Sequence, residues 1–593
     1  MRYNLLLITL SVLLPLSAQR NFMPSGIHSF VPITVQRPVL LDSTDLKDSK
    51  FSDETLLSYS ISFPEQERFT TLLEPDTAGF FHLPKPENGY AFQLLSFFVT
   101  GDRYGKGKLT VTSPNPLELY VNDVKRATKT QVNDSIHQSG SVDAFLNGFT
   151  NNARIIIKLL ASAENKIDPA VKIELKPDKG DSLLNFSFNN IDKRRISIND
   201  ILEGTRVNSS SVSPSGRFVL LSLRETIKGG ENRNYTEIYD TRQKRTVLSE
   251  TANRSQLNWM PKSDILYYVA DNNDGRTMYT LNPLTSETKI IAQQLPKENF
   301  HVAPDEKSMF YSSKETLSVT TPSGLRRLIG IDDRQAHYRD RFYLYRYFFE
   351  TGFAQQLTFG RQTATLNDVT DDVKYLLFST SGEDLSQRPF SKSSLYMLNL
   401  ETMAVDTVWK DQTYTYSAQF SPDGKQLLIH GAPEAFNGIG LNVKEGQIAN
   451  SYDTQSFIMD LATRRVDPVT KHFDPAINAQ EWNSADHSIY YRVEEGDRAN
   501  VYRYSPKTKK FDKLPLKEDV IRSFSISGNG RWAAYTGVSV SNSNRSYLLD
   551  LKTNESTLIS DPYAKQLNTL VLGEVKDWKF TSSFGDEIEG RYY

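Results

Sequence analysis

Ser421-Pro422-Asp423-Gly424, followed two residues later by Leu427-Leu428-Ile429, decides the fold. Proline fixes φ at the first corner of a turn, aspartate closes the turn with its side chain, and glycine supplies a left-handed residue before the next strand. The apolar run that follows has no polar alternation, as expected of a strand buried on both faces. The same element recurs along the chain. It stands at Ser213-Pro214-Ser215-Gly216 before Phe218-Val219-Leu220-Leu221, and at Met260-Pro261-Lys262-Ser263 before Ile265-Leu266-Tyr267-Tyr268. It returns at Ala303-Pro304-Asp305-Glu306 before Met309-Phe310-Tyr311, and at Val369-Thr370-Asp371-Asp372 before Tyr375-Leu376-Leu377-Phe378. The last two are Asn483-Ser484-Ala485-Asp486 before Ile489-Tyr490-Tyr491, and Ser527-Gly528-Asn529-Gly530 before Trp532-Ala533-Ala534-Tyr535.

A second element follows the first, as in Leu395-Tyr396-Met397-Leu398-Asn399-Leu400-Glu401-Thr402 and Ser546-Tyr547-Leu548-Leu549-Asp550-Leu551-Lys552-Thr553. These read as outer hairpins with Asp/Asn…Thr turns. Two hairpins per repeat, at a spacing of roughly 45–60 residues, predict a four-stranded blade and hence a β-propeller over 195–570. Seven inner turns predict seven blades. The long interval between 303 and 369, with hairpin-like stretches near 317–328 and 342–358, leaves room for an eighth. Ala432 to Ser451 reads as an inserted loop.

Upstream, residues 51–190 alternate in short bursts such as Lys108-Leu109-Thr110-Val111-Thr112 and Leu117-Glu118-Leu119-Tyr120-Val121, separated by turn residues. This predicts a β-sandwich-like accessory domain. Residues 19–50 read as a linker or irregular arm. Residues 1–18 read as a signal peptide, with Arg2 ahead of the apolar stretch Leu5 to Leu16 and small residues at Ser17-Ala18. The chain has no cysteine. That excludes disulfides, thiol nucleophiles, Cys-based metal sites and a lipoprotein anchor. An exported protein, periplasmic or extracellular, is the expectation. Hydrophobic residues make up 38% of the chain and charged residues 24%. Large cores are therefore available. Aromatic residues, at 11%, favour strands. A net charge of −2 gives no electrostatic argument for nucleic acid or an anionic membrane.

The chemistry-bearing motifs are sparse. No G-x-S-x-G elbow is present, and the eight histidines are dispersed without H-x-x-x-H spacing. No metal and no cofactor is therefore expected. Asp271-Asn272-Asn273-Asp274-Gly275 resembles a calcium loop but lacks the glycine and glutamate spacing, and reads as a hairpin turn. Glu494-Glu495, an acidic pair at a strand end, is the candidate substrate-binding pair, against the plainer reading of a solvated hairpin corner. Residues 571–593 hold Val575-Lys576-Asp577-Trp578-Lys579-Phe580, a turn at Ser583-Phe584-Gly585-Asp586, and a second strand from Glu587. A lone hairpin is marginal in water, so a further domain is expected to begin here.

Taken together, the S-P-D-G turns, the loop Gly431-Ala432-Pro433-Glu434-Ala435-Phe436-Asn437-Gly438-Ile439-Gly440 and the closing stretch Gly573 to Tyr593 resemble the prolyl oligopeptidase family of serine peptidases, family S9, in its exported bacterial members. The resemblance implies a propeller that gates access to an α/β-hydrolase domain whose first strands are 571–593. It also implies hydrolysis of short peptides by a Ser-Asp-His triad, with peptides as partners. No position up to Tyr593 matches the triad, so this chain alone is expected to be inactive. The alternative is a non-catalytic, TolB-like periplasmic propeller that binds a protein or glycan.

Overall fold

A computed structural model describes residues 20–147, 152–191, 193–227, 229–250, 256–273, 275–316, 322–325 and 339–592. The expected signal peptide and most of the 317–328 stretch lie outside these residues. The chain forms two compact units. One takes residues up to Ile198 together with Gln566–Gly573, and the other takes Asn199–Lys565 with Glu574–Tyr593.

The first unit is an antiparallel sandwich. Its larger sheet is built on two long strands, Tyr90–Gly101 and Ala153–Ser162, and its smaller sheet has four strands. Alternate residues of a strand share a face. Leu109, Val111, Ile173 and Leu175 accordingly point inward and form one core with Phe97, Ile155 and Ile157. The arm expected over 19–50 is partly structured. Ile27–Ser29 and Ile33–Val35 both pair with Tyr90–Gly101. Lys158 is a lysine in an apolar strand and only 1% exposed at its side chain. Its ammonium meets Glu118 at 3.0 Å, donates to the carbonyl oxygens of Tyr59 (2.6 Å) and Leu57, and sits over the Phe92 ring. A buried charge needs such complete pairing.

The second unit is the propeller. Seven four-stranded antiparallel blades occupy 204–250, 258–292, 300–356, 364–412, 415–468, 476–513 and 520–560 among the described residues. A single parallel bridge, Ala499 to Val520, links the last two. The repeated turn is visible in the hydrogen bonds. The N–H of its first residue donates to the carbonyl five residues on, at 2.8–2.9 Å, in Ser213→Phe218, Met260→Ile265, Ala303→Ser308, Thr370→Tyr375, Ser421→Gln426, Asn483→Ser488 and Ser527→Trp532. The fourth turn therefore begins at Thr370, one residue later than the sequence reading places it. Val373 takes the left-handed corner, at φ 56°, that Gly424 fills at φ 66° in the next blade.

Strand 2 of each blade supplies the buried run; in blade 1, Phe218, Val219, Leu220 and Leu221 are all buried. One hydrophobic cluster fills each gap between neighbouring blades. Fully burying a Leu or Phe stabilises by about 1.5–3 kcal/mol. The cluster that joins Val207, Val219 and Leu221 of blade 1 to Ala534 and Leu548 of blade 7 closes the ring. Each blade is made from one contiguous stretch, so the closure is side-chain packing and not strand exchange. Within the 303–369 interval, Asp340–Phe348 and Ala354–Gln356 are the third and fourth strands of blade 3, and Ala364–Val369 is the first strand of blade 4. The calcium-like stretch is a hairpin, with Asn272 paired to Gly275. The Ala432 to Ser451 insertion links Gln426–Gly431 to Gln455–Asp460.

Candidate functional site

Aligning the seven turns by their hydrogen bonds exposes a second repeat. The residue two positions before each turn is Ser211, Asn258, His301, Asp368, Gln419, Glu481 or Ser525, polar in every blade. The residue between it and the turn is Val212, Trp259, Val302, Val369, Phe420, Trp482 or Ile526, apolar in every blade. Alternation along the innermost strand sends these two sets to opposite sides. The polar set lines the channel. Ser211, Asn258, Glu481 and Ser525, from blades 1, 2, 6 and 7, border one cavity of about 860 Å³. Asp368, Gln419 and Glu481, from blades 4, 5 and 6, border another of about 470 Å³. Residues of non-adjacent blades meet in this way only around the propeller axis.

Two members of the set act as staples between blades. Asp368 Oδ2 accepts the Phe420 N–H at 2.7 Å, and Ser525 Oγ accepts the Val212 N–H at 3.3 Å. Their neighbours Asn367 and Ser523 repeat the contact on Ala418 and Ser210, at 3.2 and 3.3 Å. An innermost strand has an unpaired edge, and these side chains satisfy it. Glu481, like Ser211, His301 and Gln419, makes no such contact, and no described residue hydrogen-bonds to its carboxyl. Its side chain reaches channel water while inner strands surround it. That enclosure, with Asp486 nearby, pushes its pKa up to about 7. Loss of solvent penalises the charged form, and a nearby like charge adds to the penalty. Enclosure also pushes Asp368 up to about 6; the Phe420 and Val369 N–H groups act against the shift and Asp371 adds to it.

The sequence-predicted pair lies elsewhere. Glu494 and Glu495 end strand Ile489–Glu495 of blade 6, at the turn joining strands 2 and 3. As consecutive strand residues they face opposite ways, so their carboxylates do not converge. Glu495 is occupied by Lys513 Nζ (2.6 Å), Asn500 Nδ2 (2.6 Å) and the Tyr502 hydroxyl (2.9 Å), and Lys513 leads in holding its pKa down. Glu494 is exposed and accepts one bond from Asn478 Nδ2 at 2.9 Å. Sequence inspection picks the adjacent acids and passes over Glu481, whose signal emerges only after the turns are registered.

Beside this corner sits the tail hairpin, Lys576–Thr581 paired with Glu587–Tyr592. Arg591 bridges Asp577 (2.8 Å), Asp497 (2.7 Å) and Asp519 (4.0 Å), and Arg498 reaches Asp519 (3.2 Å) and Asp577 (3.6 Å). Asp497 lies in the blade-6 strand 2–3 turn, and Asp519 precedes the innermost strand of blade 7. The hairpin therefore lies at the face where innermost strands start. Asp368 and Glu481 lie toward the opposite mouth, where those strands end. Trp578 and Phe580 stack on each other at 5.1 Å and, with Ile588 and Tyr592, leave an exposed apolar surface on the hairpin. Among the described residues no cluster of three or more His, Asp or Glu is placed to hold a metal ion.

No protein-family model matches the chain, and no curated protein matches it. Among solved structures, it is similar to Pyrococcus horikoshii acylaminoacyl peptidase (12% identity, TM-score 0.47, over 65% of this chain and 57% of that one). It is also similar to the β-propeller domain of the Trilobed protease from Pyrococcus furiosus (11% identity, TM-score 0.42, over 60% of this chain and 96% of that one). A third is Porphyromonas gingivalis dipeptidyl peptidase 4 (12% identity, TM-score 0.38, over 65% of this chain and 57% of that one). The matched region spans less than three-fifths of the acylaminoacyl peptidase chain.

Proposed function

We propose that this chain is the propeller-bearing, non-catalytic part of an exported prolyl-oligopeptidase-like serine peptidase acting on short peptides in the periplasm or outside the cell. The observation that carries the reading is the tail hairpin. It folds as a separate two-stranded sheet at the face of the propeller where the innermost strands begin, it is tied there by surface ion pairs, and it exposes stacked aromatics. A two-stranded sheet of this kind calls for more sheet to cover it, as the first hairpin of an α/β-hydrolase domain would be covered. In this reading the propeller stands over the catalytic site and admits peptides by size, and nucleophile, base and orienting acid all lie beyond Tyr593.

The test is to read the coding sequence past Tyr593 and assay both products. About 200–260 further residues containing G-x-S-x-G, followed by Asp and His, are expected. The longer protein should label with a fluorophosphonate and cleave proline-containing peptides, and the 593-residue chain should do neither. A stop codon directly after Tyr593 would end this reading and leave a binding propeller in its place.

A further inference from the structure

The turns that join strands 3 and 4 of the blades form a third repeat. In each, the N–H of a left-handed residue, Lys244, Ser286, Gly352, Met403, Arg464, Lys509 or Asn554, donates to the carbonyl four residues back at 2.7–2.9 Å. The residue bearing that carbonyl is Asp240, Asn282, Asn399, Asp460, Ser505 or Asp550 in six blades, and a side-chain oxygen of each accepts a turn N–H. Short polar side chains close turns in this way. Blade 3 has Phe348 at this position, with no oxygen to offer.

The exchange of a polar cap for an aromatic ring does two things. It builds an apolar wall. Phe348 stacks on Phe353 at 6.1 Å, and Phe353 is 58% exposed. With Met260, Ile265, Ile291 and Phe349 these rings line a cavity of about 940 Å³ between blades 2 and 3. It also frees a cation. In blades 1 and 7 the first residue after the inner turn, Arg217 or Arg531, pairs with the capping acid, Asp240 (3.4 Å) or Asp550 (2.6 Å). Lys307 is the equivalent residue of blade 3, because Ser308 stands opposite Phe348 as Phe218 stands opposite Asp240. Its acid is replaced, and no described residue pairs with its ammonium. Most other charges on the rim are occupied. Glu287 is held by Lys289 (3.4 Å) and Asp305 by Arg346 (2.9 Å), and Glu306 accepts the Lys262 and Ser263 N–H groups. Glu350, next to Phe349, has no partner among the described residues.

An aromatic cavity with one open cation and one open acid on its rim complements a zwitterion with an apolar body. We propose that this cavity binds a short peptide with free termini and large apolar side chains. Lys307 takes the carboxylate, Glu350 takes the ammonium, and Phe348 and Phe353 receive a side chain against their rings. The volume lies near the upper end of the roughly 300–1,000 Å³ of small-molecule sites, which suits a dipeptide or tripeptide. The site lies within the propeller and needs no catalytic domain, so it can fail without touching the peptidase reading.

Isothermal titration of the 593-residue chain at about pH 7.5 and low salt tests it, with leucyl-phenylalanine against glycylglycine and leucyl-phenylalanine amide. The dipeptide should bind at least about tenfold more tightly than either, since glycylglycine lacks the apolar body and the amide lacks the carboxylate. Phe353→Ser, at an exposed position, should lower the affinity about tenfold with an unchanged melting curve. Phe348→Asp restores both the turn cap and the partner of Lys307, so binding should fall while the chain melts no lower than wild type. If that variant does melt lower, Phe353→Ser decides. Lys307→Gln should erase the preference for the dipeptide over its amide, a readout that a merely structural role would not move. Equal binding of glycylglycine or the amide by wild type, full affinity in Phe348→Asp or Phe353→Ser, or a preference for the free carboxylate that survives Lys307→Gln would overturn the proposal.

Discussion

Replacing Glu481 with Gln should make the propeller more stable, and only above mildly acidic pH. A carboxyl whose folded pKa lies above its unfolded value is costless while protonated in both states. Below about pH 4.5, the ordinary value for glutamate, wild type and variant should therefore melt alike. As pH rises from there toward about 7, the unfolded chain ionises first and wild-type stability falls. Above the folded value the full cost is in place. Each pKa unit carries about 1.36 kcal/mol, so a fully enclosed group would lose roughly 3 kcal/mol. Glu481 is wetted by channel water, and screening there reduces the expected gain on substitution to about 1 kcal/mol. The assay is urea unfolding at a series of pH values from about 4.5 to about 8, followed by tryptophan fluorescence. All five tryptophans, Trp259, Trp409, Trp482, Trp532 and Trp578, lie in the propeller unit, so the signal reports that unit alone. A stability difference that does not grow between the acid end and neutrality, or a variant less stable than wild type at the alkaline end, would refute the argument.

Two predictions concern the rest of the molecule. Lys158→Met should destabilise the sandwich by about 3 kcal/mol, the low end for breaking a buried pair, because Tyr120 and Lys125 still serve Glu118. Calorimetry should show the sandwich transition falling by about 6–12 °C, while the propeller transition stays put. Deleting residues 573–593 removes ion pairs whose blade 6 and 7 members, Asp497, Arg498 and Asp519, are open to solvent, each pair worth about 0.2–1 kcal/mol, so the propeller's urea midpoint should barely move; a large drop would make the hairpin integral to the ring.

The propeller is legible because its turns are chemical. Proline at the first corner and glycine at the last announce the geometry wherever both are present. Where both are absent the reading is less secure: it holds at Asn483-Ser484-Ala485-Asp486 and slips by one residue at the fourth turn. Thr370-Asp371-Asp372-Val373 has neither, and it puts a β-branched residue in the left-handed corner, where sequence reasoning does not look for one. The arm at 27–35 escapes for another reason: three-residue strands carry too little alternation to read, and they pair only because Tyr90–Gly101 offers its edge. The Lys158–Glu118 pair leaves a trace, a lysine inside Ile155-Ile156-Ile157 and Leu159-Leu160 facing a glutamate between Leu117 and Leu119. Recognising it requires the cross-strand register that places them opposite one another. Glu494-Glu495 catches attention as neighbours in sequence, yet neighbours on a strand face apart.

Within the polar repeat, Glu481 differs by one methylene from Asp368, one of the two residues that staple the next blade. Asp368 and Ser525, at the same position in blades 4 and 7, reach the backbone N–H of the next blade. By register the N–H that Glu481 would staple is that of Ile526, which faces the same open edge as Phe420 and Val212. Glutamate places its carboxyl beyond that bond and in the channel. Glu481→Asp should restore the staple. A charge-assisted hydrogen bond is worth about 1.5–3 kcal/mol, and the wetted channel argues for the low end, so the variant should gain about 1–2 kcal/mol in urea unfolding at mildly alkaline pH. If Glu481→Asp is no more stable than wild type at alkaline pH, the Ile526 N–H is not the partner that the register assigns to this position.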